Sequence, residues 1–310
     1  MLLILIFAAL VPMLIYLFLL WMFDKNEPEP IKFVLLHFLY GATAAIVIGL
    51  IVSKIFSLPL ELFFKDTNST ILKTIIIAPI IEELAKASLL FKTINNKRVD
   101  NLTDGFVYGG AIGLGFGMTE NFLYFVAFGN SIEILLPIIL MRTLFSAVMH
   151  AIATATVGGL MSYAKYFTKR KFILITIVAL LIAMLIHFIW NFTVSFSTTF
   201  FIGITFMAFI ILIFAIIFYF SLRYERTMIR KNLANELPKE LLLQLISQNK
   251  FKSEWFVKPH QNNFIELTTK LAFRKHEVEI SERNNELYKS EIEFLRKEIS
   301  KLIEKNDNYK

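Results

Sequence analysis

The sequence predicts an all-α polytopic membrane protein that crosses the bilayer about seven times and ends in a soluble helical C-terminal tail. Three observations carry this. The 310 residues are 56% hydrophobic, with a mean hydropathy of +0.61, well above that of a soluble domain. Apolar runs of about 20 residues, the length that spans the hydrocarbon core, recur through positions 1–221. Residues 222–310 hold 18 of the 32 Lys and Arg and 14 of the 25 Asp and Glu, so charge gathers behind the last run. The chain divides accordingly into a transmembrane core, 1–221, and a cytoplasmic helical tail, 222–310.

The spans are expected at 2–23, 33–56, 71–91, 105–127, 139–164, 172–196 and 200–221. The first lacks a basic n-region and a small-residue cleavage site, and reads as a retained helix rather than a secretory signal. The second carries His37 with no polar neighbour in its run, a structural histidine. The third holds adjacent glutamates, Glu82 and Glu83. The fourth repeats glycine at Gly109, Gly113 and Gly117, a smooth face for close helix contact. Residues 132–164 are too long for one simple span, and Pro137 is expected to break off a short re-entrant or interfacial piece before the helix that carries Arg142. The sixth contains His187 and Asn191, and the seventh ends before Arg223. In the tail, Glu236 to Ser247 reads as a short helix. A longer one runs from about Phe264 to Glu304, with an apolar seam at Ile292, Leu295, Ile299 and Leu302. His260 and His276 read as surface residues.

Loop charge sets the expected orientation. Lys25 and Lys32 flank the first loop. Lys92, Lys97 and Arg98 lie in a second, Lys165, Lys169, Arg170 and Lys171 in a third, and Arg223, Arg226, Arg230 and Lys231 follow the last span. The opposite loops are poor in basic residues, with only Lys65 in the loop at 57–70. The N-terminus is therefore expected outside and the tail inside. There is no cysteine, which excludes disulfides, thiolate zinc sites and cysteine nucleophiles. The net charge of +7 follows from cytoplasmic basic loops and calls for no nucleic-acid partner.

The chemistry-bearing residues lie inside the spans. A carboxylate at bilayer depth costs several kcal/mol, so Glu82 and Glu83 mark a site. Lys86, four residues after Glu82, shares its helix face and makes the pair tolerable. Adjacent carboxylates resist double ionisation, which gives one acid and one base. Glu120 and Asn121 end the glycine-faced span. Arg142, Ser146, His150, Thr154 and Gly158 recur every four residues as a polar stripe. His187 and Asn191 share that spacing and aim into one cavity. At matching depth, these groups fit one water-filled pocket opening outward.

The ordered motifs Glu82-Glu83-x-x-Lys86, Asp104-Gly105-x-x-Tyr108-Gly109, Gly115-Phe116-x-x-x-Glu120-Asn121-x-x-Tyr124, His150 with Thr154, and His187-x-x-Trp190-Asn191 resemble the PrsW family of intramembrane proteases, which belongs with the CAAX prenyl and bacteriocin-immunity-type membrane proteases. The resemblance covers about residues 75–195 and leaves the tail uncovered. It implies a glutamic-type mechanism on a helical membrane core. Glu82 and Glu83 are then the paired glutamates, Glu120 and His150 the following polar positions, and His187 with Asn191 the element that holds the oxyanion in CAAX proteases. Lys86 stands in place of the CAAX-type arginine. Glu120 stands where those enzymes usually carry a histidine, which weakens any inference of prenylated substrates. The implied substrate is a single-pass membrane protein, anti-sigma factors being associated with the family, cut on the outward side.

The expected function is thus an intramembrane endopeptidase of the cell membrane, with catalytic residues Glu82, Glu83, Glu120, His150, His187 and Asn191, supported by Lys86 and Asn121. No cofactor is expected. The metal-dependent variant places zinc on Glu83, His150 and His187, although no His-Glu-x-x-His helix is present. Two other readings stay open. One is a proton- or cation-coupled transporter, for which no inverted repeat is seen. The other is a non-catalytic membrane scaffold. Membrane lipid surrounds the core, and the C-terminal helix offers a seam for a second copy or a regulator.

Overall fold

The computed structural model describes residues 1–63, 71–96, 98–129, 131–247, 249–258, 260–282 and 286–307. Lys65 and Lys97, used above for orientation, lie outside them. Every regular element among the described residues is helical. Helix α1 is Leu2–Phe23. Helix α2 runs Ile31–Tyr40, passes a π-turn at Gly41–Ala45 and continues as Ile46–Phe63. Helix α3 combines the π-turn Lys73–Ile77 with Ala78–Thr93. Then come α4, Leu102–Phe128, and α5, built from Ile132–Met141, the π-turn Arg142–Ser146 and Ala147–Ala164. Helices α6, Lys169–Val194, and α7, Phe200–Leu233, complete the bundle. The tail adds α8, Lys239–Leu245, α9, Gln261–Ile280, and α10, Glu286–Asp307.

Six of these helices are long and apolar enough to cross a membrane: α1, α2, α4, α5, α6 and α7. The expected span at 71–91 is not among them. Helix α3 carries Lys73, Glu82, Glu83, Lys86 and Lys92, and is made tolerable by the bundle rather than by its own composition. Pro137 does not break α5, correcting the sequence expectation: the chain is helical across it from Ile132 to Ala164. Pro137, the sixth residue of the helix, forfeits the single bond its N–H would give the Glu133 carbonyl, and the helix continues past it.

Helix α4 is the bundle's axis. It starts on a capping box, in which Asn101 Oδ1 accepts from the Asp104 N–H at 2.9 Å while Asp104 Oδ2 accepts from the Asn101 N–H at 3.2 Å. Its glycine face lies against α5 closely enough that a Cβ on Gly113 would collide with the His150 carbonyl, and one on Gly105 with the Gly158 carbonyl. Glycine is required there, because the two backbones touch. His37 is structural, bonded through Nδ1 to the Phe33 carbonyl at 2.7 Å and through Nε2 to Thr93 Oγ1 at 2.8 Å.

Helix α7 runs without a break through position 222 into the tail. The long helix expected from Phe264 to Glu304 is instead two, α9 and α10. The chain leaves α9 at Ser281 in extended conformation, and the next N–H, of Glu282, bonds the Tyr166 carbonyl at 3.0 Å. That bond to the core takes the place of the next helical one. The pair folds back on itself, with Val257 N–H bonded to Asn306 Oδ1 at 3.2 Å. The seam residues Ile292, Leu295, Ile299 and Leu302 are buried in the tail's own core with Phe264, Leu271 and Phe273. The short helix expected at Glu236–Ser247 is Lys239–Leu245. His260 and His276 are half-buried.

The tail grips one end of the bundle. Lys250 Nζ donates to the Asn26 carbonyl at 2.5 Å, Tyr166 Oη of the core to Glu277 Oε1 of the tail at 2.5 Å, and the buried Arg274 guanidinium lies 3.7 Å from Asp100. Burial pushes Asp100 up to about 8 against the pull of Arg274, and pushes Glu29 up to about 7 against bonds from Tyr108 and Asp104.

Candidate active site

At the other end of the bundle a cavity of about 680 Å³ descends between α2, α3, α4, α5 and α6. Its rim is formed by Ser57 near the end of α2, Lys73 at the start of α3, Phe128 at the end of α4 and Ser195 just past α6. Its floor is Glu82, Glu120, Arg142 and His150, with Asn191 on the wall. The cavity therefore opens away from the tail.

The expected residues converge, in two layers. Glu83 and Lys86 are sealed off, with side chains 0% exposed, and Lys86 Nζ bonds Glu83 Oε1 at 2.6 Å. Glu83 Oε1 also accepts from His187 Nδ1 at 2.8 Å. Lys86 Nζ reaches His150 Nδ1 at 2.9 Å. An ammonium can only donate, so His150 Nδ1 accepts and Nε2 carries the proton. Nε2 then donates to Glu120 Oε2 at 2.7 Å. The same oxygen takes a bond of 2.6 Å from Arg142 Nη2, and Arg142 Nε donates to Asn121 Oδ1 at 3.0 Å. Below the cavity lies an unbroken run of charge-assisted bonds: Arg142, Glu120, His150, Lys86, Glu83, His187.

Glu82 stands outside that run. It is 15% exposed, facing the cavity, and Oε2 makes no hydrogen bond among the described residues. Nε2 of His187 lies 3.9 Å from Oε2. With its proton on Nδ1, His187 turns a lone pair toward Glu82. The two histidine rings meet edge to face at 4.8 Å between centroids.

The backbone positions these groups through its π-turns, which occur at functional sites more often than elsewhere. The turn at Lys73–Ile77 holds Thr74, whose carbonyl accepts from Asn191 Nδ2 at 2.9 Å. The turn at Arg142–Ser146 places Arg142 on Glu120, and Ser146 Oγ accepts from Trp190 Nε1 at 3.2 Å. The resemblance assigns the oxyanion to His187 and Asn191. Here the His187 N–H is given to Glu83, and an Asn191 amide proton to Thr74. Arg142 is the floor residue absent from the expected catalytic set. Its signal was in the sequence as an arginine inside an apolar run.

The geometry groups one candidate set of metal ligands. Glu82, His150 and His187 place one ligand atom each within 4.8 Å of one another. Glu83, expected in a metal set, has Oε1 filled by Lys86 and His187, while its Oε2 is buried without a partner among the described residues. The fit is prepared at two of three ligands. Glu82 Oε2 is a buried oxygen without a partner, and His187 is oriented by a carboxylate on its far nitrogen, as metal-bound histidines usually are. His150 would have to exchange its bond to Glu120.

The family model described as "PrsW family intramembrane metalloprotease" matches residues 29–220. The chain is 27% identical over 159 residues to Protease PrsW of Clostridioides difficile (strain 630), covering 51% of this chain and 65% of that protein. It is 28% identical over 169 residues to Protease PrsW of Geobacillus kaustophilus (strain HTA426), covering 54% and 69%. It thus spans about two thirds of the length of these relatives. No solved structure matches. With the family match running through all the spans from α2 to the apolar part of α7, and with the glutamates, histidines and Asn191 gathered at one cavity, the chain belongs to the PrsW family.

Proposed function

We propose that the protein is an intramembrane endopeptidase in which Glu82 activates water to hydrolyse a peptide bond of a membrane-anchored protein. The observation that carries this is the contrast between the carboxylates: Glu83 and Glu120 are held by cations, while Glu82 faces the cavity without a hydrogen bond among the described residues. Water entering the cavity meets Glu82 Oε2 and the lone pair of His187 Nε2. Glu82 takes one proton as the water oxygen bonds to the scissile carbonyl carbon, and the carbonyl π electrons move onto its oxygen. When the tetrahedral centre collapses, the C–N bond breaks and Glu82 returns the proton to the leaving amine. The Glu83–Lys86 pair holds His187 and His150 in one tautomer each. The cavity opens opposite the tail, so the loop charges favour cleavage on the outward side by a multi-pass protein whose tail is cytoplasmic.

A second reading rests on the Glu82, His150 and His187 grouping and on the family's description. Those three residues would hold zinc, which when bound supplies Lewis acidity to the carbonyl and a more acidic water.

The deciding experiment co-expresses the wild type and Glu82→Gln with a panel of the host's single-pass membrane proteins. A fragment seen only with wild type is the expected result. No difference, with both forms stably inserted, overturns the protease reading in favour of transport or scaffolding.

A further inference from the structure

Hydrolysis at this cavity needs a donor for the carbonyl oxygen as it turns into an oxyanion, and the floor offers one cation. The two donors that the resemblance suggests are committed: His187 gives its proton to Glu83 at 2.8 Å, and Asn191 donates to the Thr74 carbonyl at 2.9 Å. His150 is committed as well, between Lys86 and Glu120. Arg142 is different. Its guanidinium is anchored on one edge by Nη2 to Glu120 and Nε to Asn121. It is stacked on the Tyr124 ring, 3.6 Å from the centroid. It also meets the Tyr124 hydroxyl, and the side chain lines the cavity with 12% of it exposed. A planar fork fixed on one edge and one face presents its remaining edge in a set direction.

We infer that Arg142 is a catalytic residue of the proposed peptidase, its Nη1 edge donating to the oxyanion of the tetrahedral intermediate formed when Glu82 deprotonates water. The inference rests on the peptidase reading. Glu120 and Asn121 serve it as positioning residues. Glu120 accepts from both Arg142 and His150, and so ties the donor's orientation to the buried run that ends on His187. Such a donor is fixed before the reaction and pays no reorganisation during it, which is where most electrostatic catalysis arises.

The test uses the full-length protein in nanodiscs with the substrate recovered from the co-expression panel. Arg142→Ala is expected to lower kcat by roughly 10²- to 10³-fold, the range for loss of one oxyanion donor, with KM little changed. Guanidinium chloride at millimolar concentration, small enough for the vacated space, should restore part of kcat in Arg142→Ala and none in Glu82→Gln. Arg142→Lys keeps a cation opposite Glu120 and serves if Arg142→Ala does not fold; it should still lose kcat by about tenfold, because a point charge does not reproduce the fork. A raised KM with unchanged kcat, or a loss of kcat that guanidinium does not relieve in a folded variant, overturns the inference. If the wild type cleaves nothing in the panel, the peptidase reading fails first, and the two failures are distinct.

Discussion

Nζ of Lys86 stands 2.9 Å from Nδ1 of His150 while donating to Glu83 at 2.6 Å. This contact between α3 and α5 settles two protonation states. It makes His150 a donor toward Glu120 through Nε2, and it keeps Glu83 an acceptor for His187. Each residue of this run is bonded to the next, and a connected network in a low-dielectric interior favours one arrangement.

Lys86→Met should therefore destabilise the protein by about 3–5 kcal/mol, the cost of leaving one member of a buried pair unpaired. Adding Glu83→Gln to it should recover much of that stability without restoring cleavage. Thermal unfolding in detergent or nanodiscs measures both. Additive losses in the double variant would mean that the two side chains do not share an energy.

Gly113→Ala should cost at least the ~1–3 kcal/mol of an overpacked core, and should reduce cleavage by displacing His150 from Lys86. A Cβ there meets the His150 backbone carbonyl, which cannot move alone. Gly110→Ala is the control: its Cβ meets first the tip of Leu20, a side chain that can swing aside. Equal effects of the two substitutions would contradict the backbone contact.

Chelation should leave peptidase activity within about twofold of the untreated protein, since His150 Nε2 carries a proton directed at Glu120 and is not free to ligate. Activity lost to a chelator and regained with zinc would instead assign Glu82, His150 and His187 as the metal set.

The grip of the tail should weaken as pH rises from about 4 to 8. Burial raises Asp100 from 3.8 to about 8 and Glu29 from 4.5 to about 7. The folded state then binds more protons than the unfolded one between those values. Stability from these groups is full below the unfolded pKa and is lost as pH climbs through the folded one. Lys250, pushed down to about 8 by burial, is protonated in both states through most of that window and adds little slope. Hydrogen exchange of α9 and α10 should show falling protection across the window, and Asp100→Asn should flatten the profile.

Much of the site was legible because the informative patterns are local. Glu82 with Lys86, the four-residue stripe from Arg142 to Gly158, and His187 with Asn191 are helix-face spacings, and an ionisable group in an apolar run announces itself. The glycines of α4 were legible for the same reason. Pairings across 64 residues, as between Lys86 and His150, or 104, as between Glu83 and His187, leave no such trace. The expectation of a single long tail helix failed on another such pairing, the bond from Glu282 to Tyr166.

The sequence by itself determined most of the helices, six of the seven expected spans, and which side chains are too costly to be there for packing, since composition and period fix these one segment at a time. Only the tertiary structure decided that Glu82 faces the cavity while its neighbour lies beneath it. The same holds for the proton of His150 on Nε2, for the site of Arg142 on the floor, and for the enclosure of the tail's apolar seam within its own core. Each of these depends on which helices meet and how closely, and that is set by contacts between residues far apart in the chain.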